Sequence, residues 1–184
     1  MAYLDEEQGW IRRSQQGDHE AFESLVKRHQ RMIHAVTYRM TGSLADAEDL
    51  AQEAFIHAFR QLGSYRSEAR FSSWLYRIAV NLCLNWKGRR DRQQHLQMEW
   101  VESRKSDNTV ADPRARAIQE ALMKLKPKQR AALILTVYEG LNHAEAGRAL
   151  GCAETTVSWR VFAARNKLKR ILKDLPRGTI AHEQ

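Results

Sequence analysis

The sequence predicts an all-α protein of two small helical domains joined by a flexible linker, the second domain carrying a helix-turn-helix. Three observations predict this. Apolar residues recur at three- and four-residue spacing in window after window, and no segment alternates as a strand does. Only three prolines and nine glycines punctuate the 184 residues, which leaves room for long helices. The periodicity fades once, from Gln93 to Arg114, where acids and polar residues dominate and Asp112-Pro113 marks a break. The division is therefore a first domain over 1–92, a linker over 93–114, a second domain over 115–175 and a tail over 176–184 without structural signal.

The elements follow in order. Residues 1–17 are polar and read as a short leading helix or a frayed arm. Asp18 starts a helix with Phe22, Leu25, Val26, Ile33, Val36 and Met40 on one face, ending at Thr41-Gly42. Ser43 with Asp46 resembles a capping box, and the helix it opens buries Ala47, Leu50, Ala51, Ala54, Phe55, Ala58 and Leu62 before Gly63. A polar loop over 64–70 leads to a third helix with Phe71, Trp74, Leu75, Ile78, Ala79, Leu82 and Trp86, which runs out in Lys87, Arg89, Arg90 and Arg92. Past the linker, one helix runs from about Ala115 to Leu125, and Pro127 opens the next, through Tyr138. Asn142 and Glu145 then form a capping box, Gly151 supplies a turn, and a last helix starts near Ala153. Its apolar stripe is Val157, Val161, Ala164, Leu168 and Ile171, while Arg160, Arg165, Lys167, Lys169, Arg170 and Lys173 occupy the rest without an intervening acid. Such a helix places its early residues in a DNA major groove and its later cations near phosphates.

Charge agrees with that reading. A net charge of +8 and a pI near 9.8 favour a polyanionic partner over an acidic small substrate. Cys83 and Cys152 stand far apart without metal-ligand spacing, as buried thiols of a reducing cytosol would. No signal peptide is expected ahead of Trp10, and no apolar run nears the roughly 20 residues of a membrane span. A cytoplasmic protein without membrane insertion is expected.

Two further segments carry function. Opposite the apolar stripe of the 43–62 helix lie Asp46, Glu48, Asp49, Gln52 and Glu53. A solvated face with acids near a helix N-terminus is one reading. A docking face for a basic protein surface is the other, and it explains why acids segregate here in a basic chain. From Gly63 to Arg92, Tyr65, Phe71, Trp74, Tyr76 and Trp86 interleave with Arg66, Arg70, Arg77, Lys87, Arg89, Arg90 and Arg92. Helical spacing assigns Phe71, Trp74 and Trp86 to the core, whereas Tyr65 in its polar loop is expected to be exposed. Rings beside cations suit unpaired bases, and a base extruded from a duplex could be caught there.

These residues resemble a family. The run Asp46-Ala-Glu-Asp-Leu-Ala-Gln-Glu-Ala-Phe55, the run Phe71-Ser-Ser-Trp-Leu-Tyr-Arg-Ile-Ala79 with Asn81, and Thr156-Val157, Arg160, Ala164-Arg165 and Leu168 are similar to the extracytoplasmic-function (ECF) sigma factors of bacterial RNA polymerase. Three motifs in family order cover the chain from Asp18 to Leu172. The resemblance implies that Asp46, Asp49, Gln52 and Glu53, with Leu50 and Phe55 supporting the helix, grip the clamp helices of core polymerase. It implies that Ser64, Tyr65, Arg66, Arg70, Trp74, Arg77 and Asn81 melt and read the promoter's −10 element, duplex and single-stranded. It assigns the −35 element to Thr155, Thr156, Ser158, Trp159, Arg160, Phe162, Ala163 and Arg165, with the polymerase flap as a second contact. The linker would thread toward the RNA exit path, and an anti-sigma factor would cover the DNA faces. No cofactor and no metal are expected.

The recognition helix departs from the family pattern, which often has basic residues where Ser158 and Ala163 stand and a small hydroxyl residue at Trp159. Trp159 and Phe162 are expected to project where bases lie, favouring thymine methyls or shape readout over arginine contacts to guanine. Packing of Trp159 on the flap or on the preceding helix is the other reading. Two other classes of function explain less. A stand-alone helix-turn-helix regulator leaves the acidic helix and aromatic loop without a task, and no coiled-coil heptad is present to dimerise it. A nucleic-acid enzyme lacks support, because the seven histidines are scattered, His57 and His143 among them, and no phosphate-binding glycine loop occurs.

Overall fold

A computed structural model describes residues 2–67, 69–96 and 112–173, and every described element is helical. Helix α1 spans Ala2–Gln15, α2 His19–Thr41, α3 Leu44–Gln61 and α4 Phe71–Leu96, with a 3-10 turn at Leu62–Ser64 after α3. The second set is α5 Pro113–Met123, α6 Pro127–Leu133 widening into a π turn at Ile134–Tyr138, α7 His143–Leu150 and α8 Glu154–Lys173. Of the expected linker, 93–96 complete α4 and Asp112 caps α5, which therefore starts at Pro113; residues 97–111 and the tail lie outside the described residues.

Local chemistry sets the helix ends. The Asp18 carboxylate accepts from Ala21 N at 3.0 Å and opens α2, and Gly42 at φ +75° closes it. That hydrogen bond, with Arg13 beside it, holds the Asp18 carboxyl below the usual carboxylate range. Ser43 Oγ accepts from Asp46 N and opens α3. Both halves of the box at Asn142 and Glu145 are present, and Gly151 ends α7 in the left-handed region.

The first core is α2, α3 and α4 around Leu25, Ile33, Val36, Leu50, Phe71, Leu75 and Val80, with α1 laid on α2 through buried Ile11. The leading segment is thus part of the domain. The second core joins α6, α7 and α8 through Leu133, Leu135, Ala149, Val157, Val161 and Ala164. Gly147 faces the carbonyl of Cys152 so closely that a Cβ would lie 2.8 Å from it, which fixes the tight angle between α7 and α8.

The two sets of helices also touch. Helix α7 lies on α4, and α5 and α6 lie on α2. Side chains of the second set donate to carbonyls in the last turn of α2, of which Tyr38 O also accepts from Gly42 N at 2.8 Å. Gln119 Nε2 donates to Tyr38 O at 3.1 Å, and Arg130 Nη1 donates to Met40 O. The π turn places Glu139 where Tyr76 Oη donates to it at 2.6 Å and Arg39 pairs with it at 3.3 Å. The sequence predicts two domains but not this contact, because its partners stand 63 to 100 residues apart.

Candidate polymerase and nucleic-acid interfaces

The acidic face stands on α3. Buried Leu50 presses the helix onto the core, which leaves Asp49 and Gln52 exposed and Asp46 and Glu53 half-exposed. Glu53 lies 3.7 Å from His57 on the next turn. Half-buried Phe55, with Ala51 and Gln52, forms one wall of a groove of about 450 Å³. The opposite wall is α2, with Val26, Gln30, Arg31, His34 and Ala35. The sequence assigns Val26 to the core stripe and gives Gln30, Arg31, His34 and Ala35 no task; the signal for the wall is that these four lie on the helix face beside that stripe.

All the −10 candidates except Arg70 line a cleft of about 1000 Å³. Ser64, Tyr65 and Arg66 come from the loop after α3, and Trp74, Arg77 and Asn81 from successive turns of α4. Arg66, Arg77 and Asn81 are exposed, and Trp74 is half-buried. Arg70 is exposed but does not line the cleft; its carbonyl accepts from Ser73 N and Trp74 N at the start of α4. His57, Gln61 and Asn85 also line the cleft, though the sequence assigns none of them to a DNA-binding surface. Arg148 and Ala149 of α7 close its far side.

Tyr65 corrects an expectation. Its side chain is not exposed: the residue keeps 6% of its surface, with the ring edge-on to Phe71 and tilted against Trp74. Its hydroxyl donates to Ala69 O at 2.6 Å, so the ring anchors the loop from inside. Burial raises the phenol's pKa and keeps it a donor. Sequence polarity around residue 65 concealed this, because a single aromatic can turn inward from a polar loop.

On α8, burial of Val157, Val161 and Ala164 turns Trp159 and Phe162 outward, 63% and 65% exposed. Trp159 therefore does not pack on the preceding helix. Thr155 and Arg165 are exposed, and Thr156 and Ala163 half-exposed. Ser158 is engaged on both sides: its hydroxyl reaches Glu154 O at 3.1 Å and His143 Nδ1 at 2.8 Å. Arg160 directs Nη1 to Cys152 Sγ at 3.2 Å.

Remaining titratable groups serve the frame. Burial pushes the Cys83 thiol up to about 12, so it stays a neutral core group. Burial and the Glu139 carboxylate raise the Tyr76 phenol, which keeps its proton for that hydrogen bond. Among the described residues no group of three or more His, Cys, Asp or Glu could hold a metal ion, and no helix is long and apolar enough to cross a membrane.

An all-helical frame with an acidic helix face, an aromatic and basic cleft and a helix-turn-helix defines a promoter-recognition factor of the sigma type, and sequence comparison agrees. Residues 25–93 match the family model of Sigma-70 region 2, and residues 115–168 that of Sigma-70 region 4. The chain is 39% identical to the ECF RNA polymerase sigma factor SigM of Mycobacterium tuberculosis, over 88% of this chain and 82% of that one. It is 32% identical to the RNA polymerase sigma-H factor of Pseudomonas aeruginosa, over 96% and 99%. Among solved structures it is similar to the sigma factor RpoE of Bartonella quintana in complex with the anti-sigma factor NepR, with TM-score 0.71, 26% identity and coverage of 83% of this chain and 97% of that one. CnrH, solved with the cytosolic domain of CnrY, shares the fold at TM-score 0.69 and 24% identity, over 91% and 97%. The chain belongs to the ECF sigma factors of the sigma-70 family. As such it binds core RNA polymerase and directs promoter recognition and transcription initiation.

Proposed function

We propose that the three surfaces divide this work. The α3 face, through Asp46, Asp49, Gln52 and Glu53, grips the clamp helices of core polymerase, with Leu50 and Phe55 holding its shape. The cleft takes single-stranded −10 DNA: a base lies against Trp74, phosphates meet Arg66 and Arg77, and Asn81 offers its amide to base edges. Helix α8 reads the −35 element, with Trp159 and Phe162 contacting it by shape and thymine methyls and Arg165 meeting phosphate. The juxtaposition of exposed Arg66, Arg77 and Asn81 with Trp74 in one cleft carries this reading.

The protein has no catalytic activity of its own and acts in the cytoplasm. RpoE of Bartonella quintana is held by an anti-sigma factor, and this chain takes a partner of the same kind. In vitro transcription with sigma-free core polymerase and a pool of genomic promoter fragments tests the function. Transcripts sharing two spaced upstream elements are expected only when the protein is added. Asp49→Lys with Glu53→Lys should abolish core binding in a pull-down while the helical circular dichroism stays intact. Retained binding removes the α3 face from the interface.

A further inference from the structure

Helix α1 lies ahead of the residues that match region 2, and the division of labour above gives it no task. One side of it carries Gln8, Ile11 and Gln15, spaced three and four residues apart and so aligned along the helix. Ile11 is buried in the core. Gln15 Nε2 donates to Leu62 O at 3.0 Å and to Tyr65 O at 3.1 Å. About two turns further back, Gln8 Oε1 accepts from Ser67 Oγ at 3.2 Å. Both partners of Gln15 are carbonyls, so only its NH2 end can face them. One amide therefore spans the 3-10 turn and the residue that follows it.

The loop needs such a clamp. Among the described residues between Leu62 and Phe71, the loop holds itself through Tyr65 N to Leu62 O and the Tyr65 hydroxyl to Ala69 O. The Tyr65 carbonyl belongs to the peptide plane that joins Tyr65 to Arg66. Fixing that carbonyl from α1 fixes the direction in which Arg66 leaves the loop toward the cleft. The ring of Tyr65 holds the loop from inside, and Gln15 holds it from outside.

We infer that α1 is a frame for the −10 loop and that Gln15 is a positioning residue for capture of the non-template strand. The inference rests on the reading of the cleft given above. Its test uses the full chain bound to core polymerase and, as probe, the non-template strand of a promoter found by the transcription assay, with 2-aminopurine replacing adenine through the −10 element. Gln15→Met keeps the length and removes both donors. It should weaken binding of the strand about tenfold and lower the 2-aminopurine signal of the saturated complex, with core affinity unchanged. The saturated signal matters because a variant that is merely less folded would need more protein to reach the same plateau. Gln8→Met should shift the plateau in the same direction and less. Arg66→Ala and Asn81→Ala run beside them. If these two weaken the strand while Gln15→Met leaves both affinity and plateau at wild type, the inference is overturned alone. If Arg66→Ala and Asn81→Ala also leave binding unchanged, the reading of the cleft fails and the inference falls with it.

Discussion

Arg130 has no exposed surface, yet its side chain is the most polar object in the core. Its terminal nitrogens donate to backbone: Nη1 to Met40 O, and Nη2 to Met123 O at 2.8 Å and Leu125 O at 3.2 Å, while Nε has no hydrogen-bond partner among the described residues. Burial lowers its pKa to about 10, which still leaves it charged at neutral pH. A planar fork can reach carbonyls on two helices and a turn at once, and an ammonium cannot. Arg130→Met should therefore destabilise the protein by about 3 kcal/mol in urea denaturation, since it strands three carbonyls. Arg130→Lys should recover only a small part. Trp159 makes the opposite case. With 63% of its surface exposed, Trp159→Ala should leave the denaturation midpoint where it is and reduce transcription from promoters that depend on the −35 element. A large loss of stability would return Trp159 to the core.

At the scale of elements, the angle between α7 and α8 depends on a missing side chain. A Cβ at Gly147 would meet backbone, the Cys152 carbonyl, at 2.8 Å. Gly147→Ala should thus cost about 2 kcal/mol and weaken −35 DNA binding, because the recognition helix must tilt to make room. Gly151 has open space but a φ of +60°, so Gly151→Asn should be nearly silent by the same two measurements. Helix α1 adds an acid-sensitive contact: Glu7 meets His29 Nε2 at 2.7 Å. That hydrogen bond, with the charges of His29 and Arg28, holds the Glu7 carboxyl below its ordinary value. A depressed carboxyl stabilises the fold above its unfolded pKa and ceases to do so as pH falls through its folded one. Thermal melts should show wild type losing more stability than Glu7→Gln across that acid range. Elements of this kind were legible in the sequence where the signal is local. Asp18, Ser43, Asn142 with Glu145, and Gly151 each act within a turn of themselves, and each does in the structure what its residue type predicts. The stripe on α8 was legible too, and it alone sufficed to turn Trp159 and Phe162 outward. What escaped has long sequence separation. Gln15 reaches carbonyls 47 and 50 residues away, and Arg130 reaches Met40 across 90. No periodicity encodes such pairs, and Tyr65 was misplaced for the same reason, since its burial depends on Phe71 and Trp74 of another element.

For the whole molecule the decisive fact is that a helix of the second set walls the cleft proposed to take −10 DNA. Arg148 and Ala149 of α7 form a wall of the cleft that holds Trp74, Arg77 and Asn81. A DNA strand and α7 cannot both occupy that side, and two elements separated along a promoter cannot be read by modules folded on each other. The free chain should therefore bind single-stranded −10 DNA with an affinity reduced by the fraction of molecules that are open. On polymerase, where reading two spaced elements at once requires the modules to part, that reduction should vanish. Glu139 is the polar centre of the closed contact, with Tyr76 Oη at 2.6 Å, Arg39 at 3.3 Å and the Arg39 guanidinium stacked 4.5 Å above the Tyr138 ring. Glu139→Ala with Tyr76→Phe removes a charge-assisted hydrogen bond and an ion pair, contacts worth about 2 kcal/mol together. The double variant should expand in small-angle X-ray scattering and bind the single strand about tenfold more tightly as free protein. Bound to core polymerase it should match wild type. Equal scattering and equal free-chain affinity for the two proteins would show that Glu139 does not hold the modules together. A gain that persists on polymerase would place the effect in the cleft itself, since opening has by then already occurred.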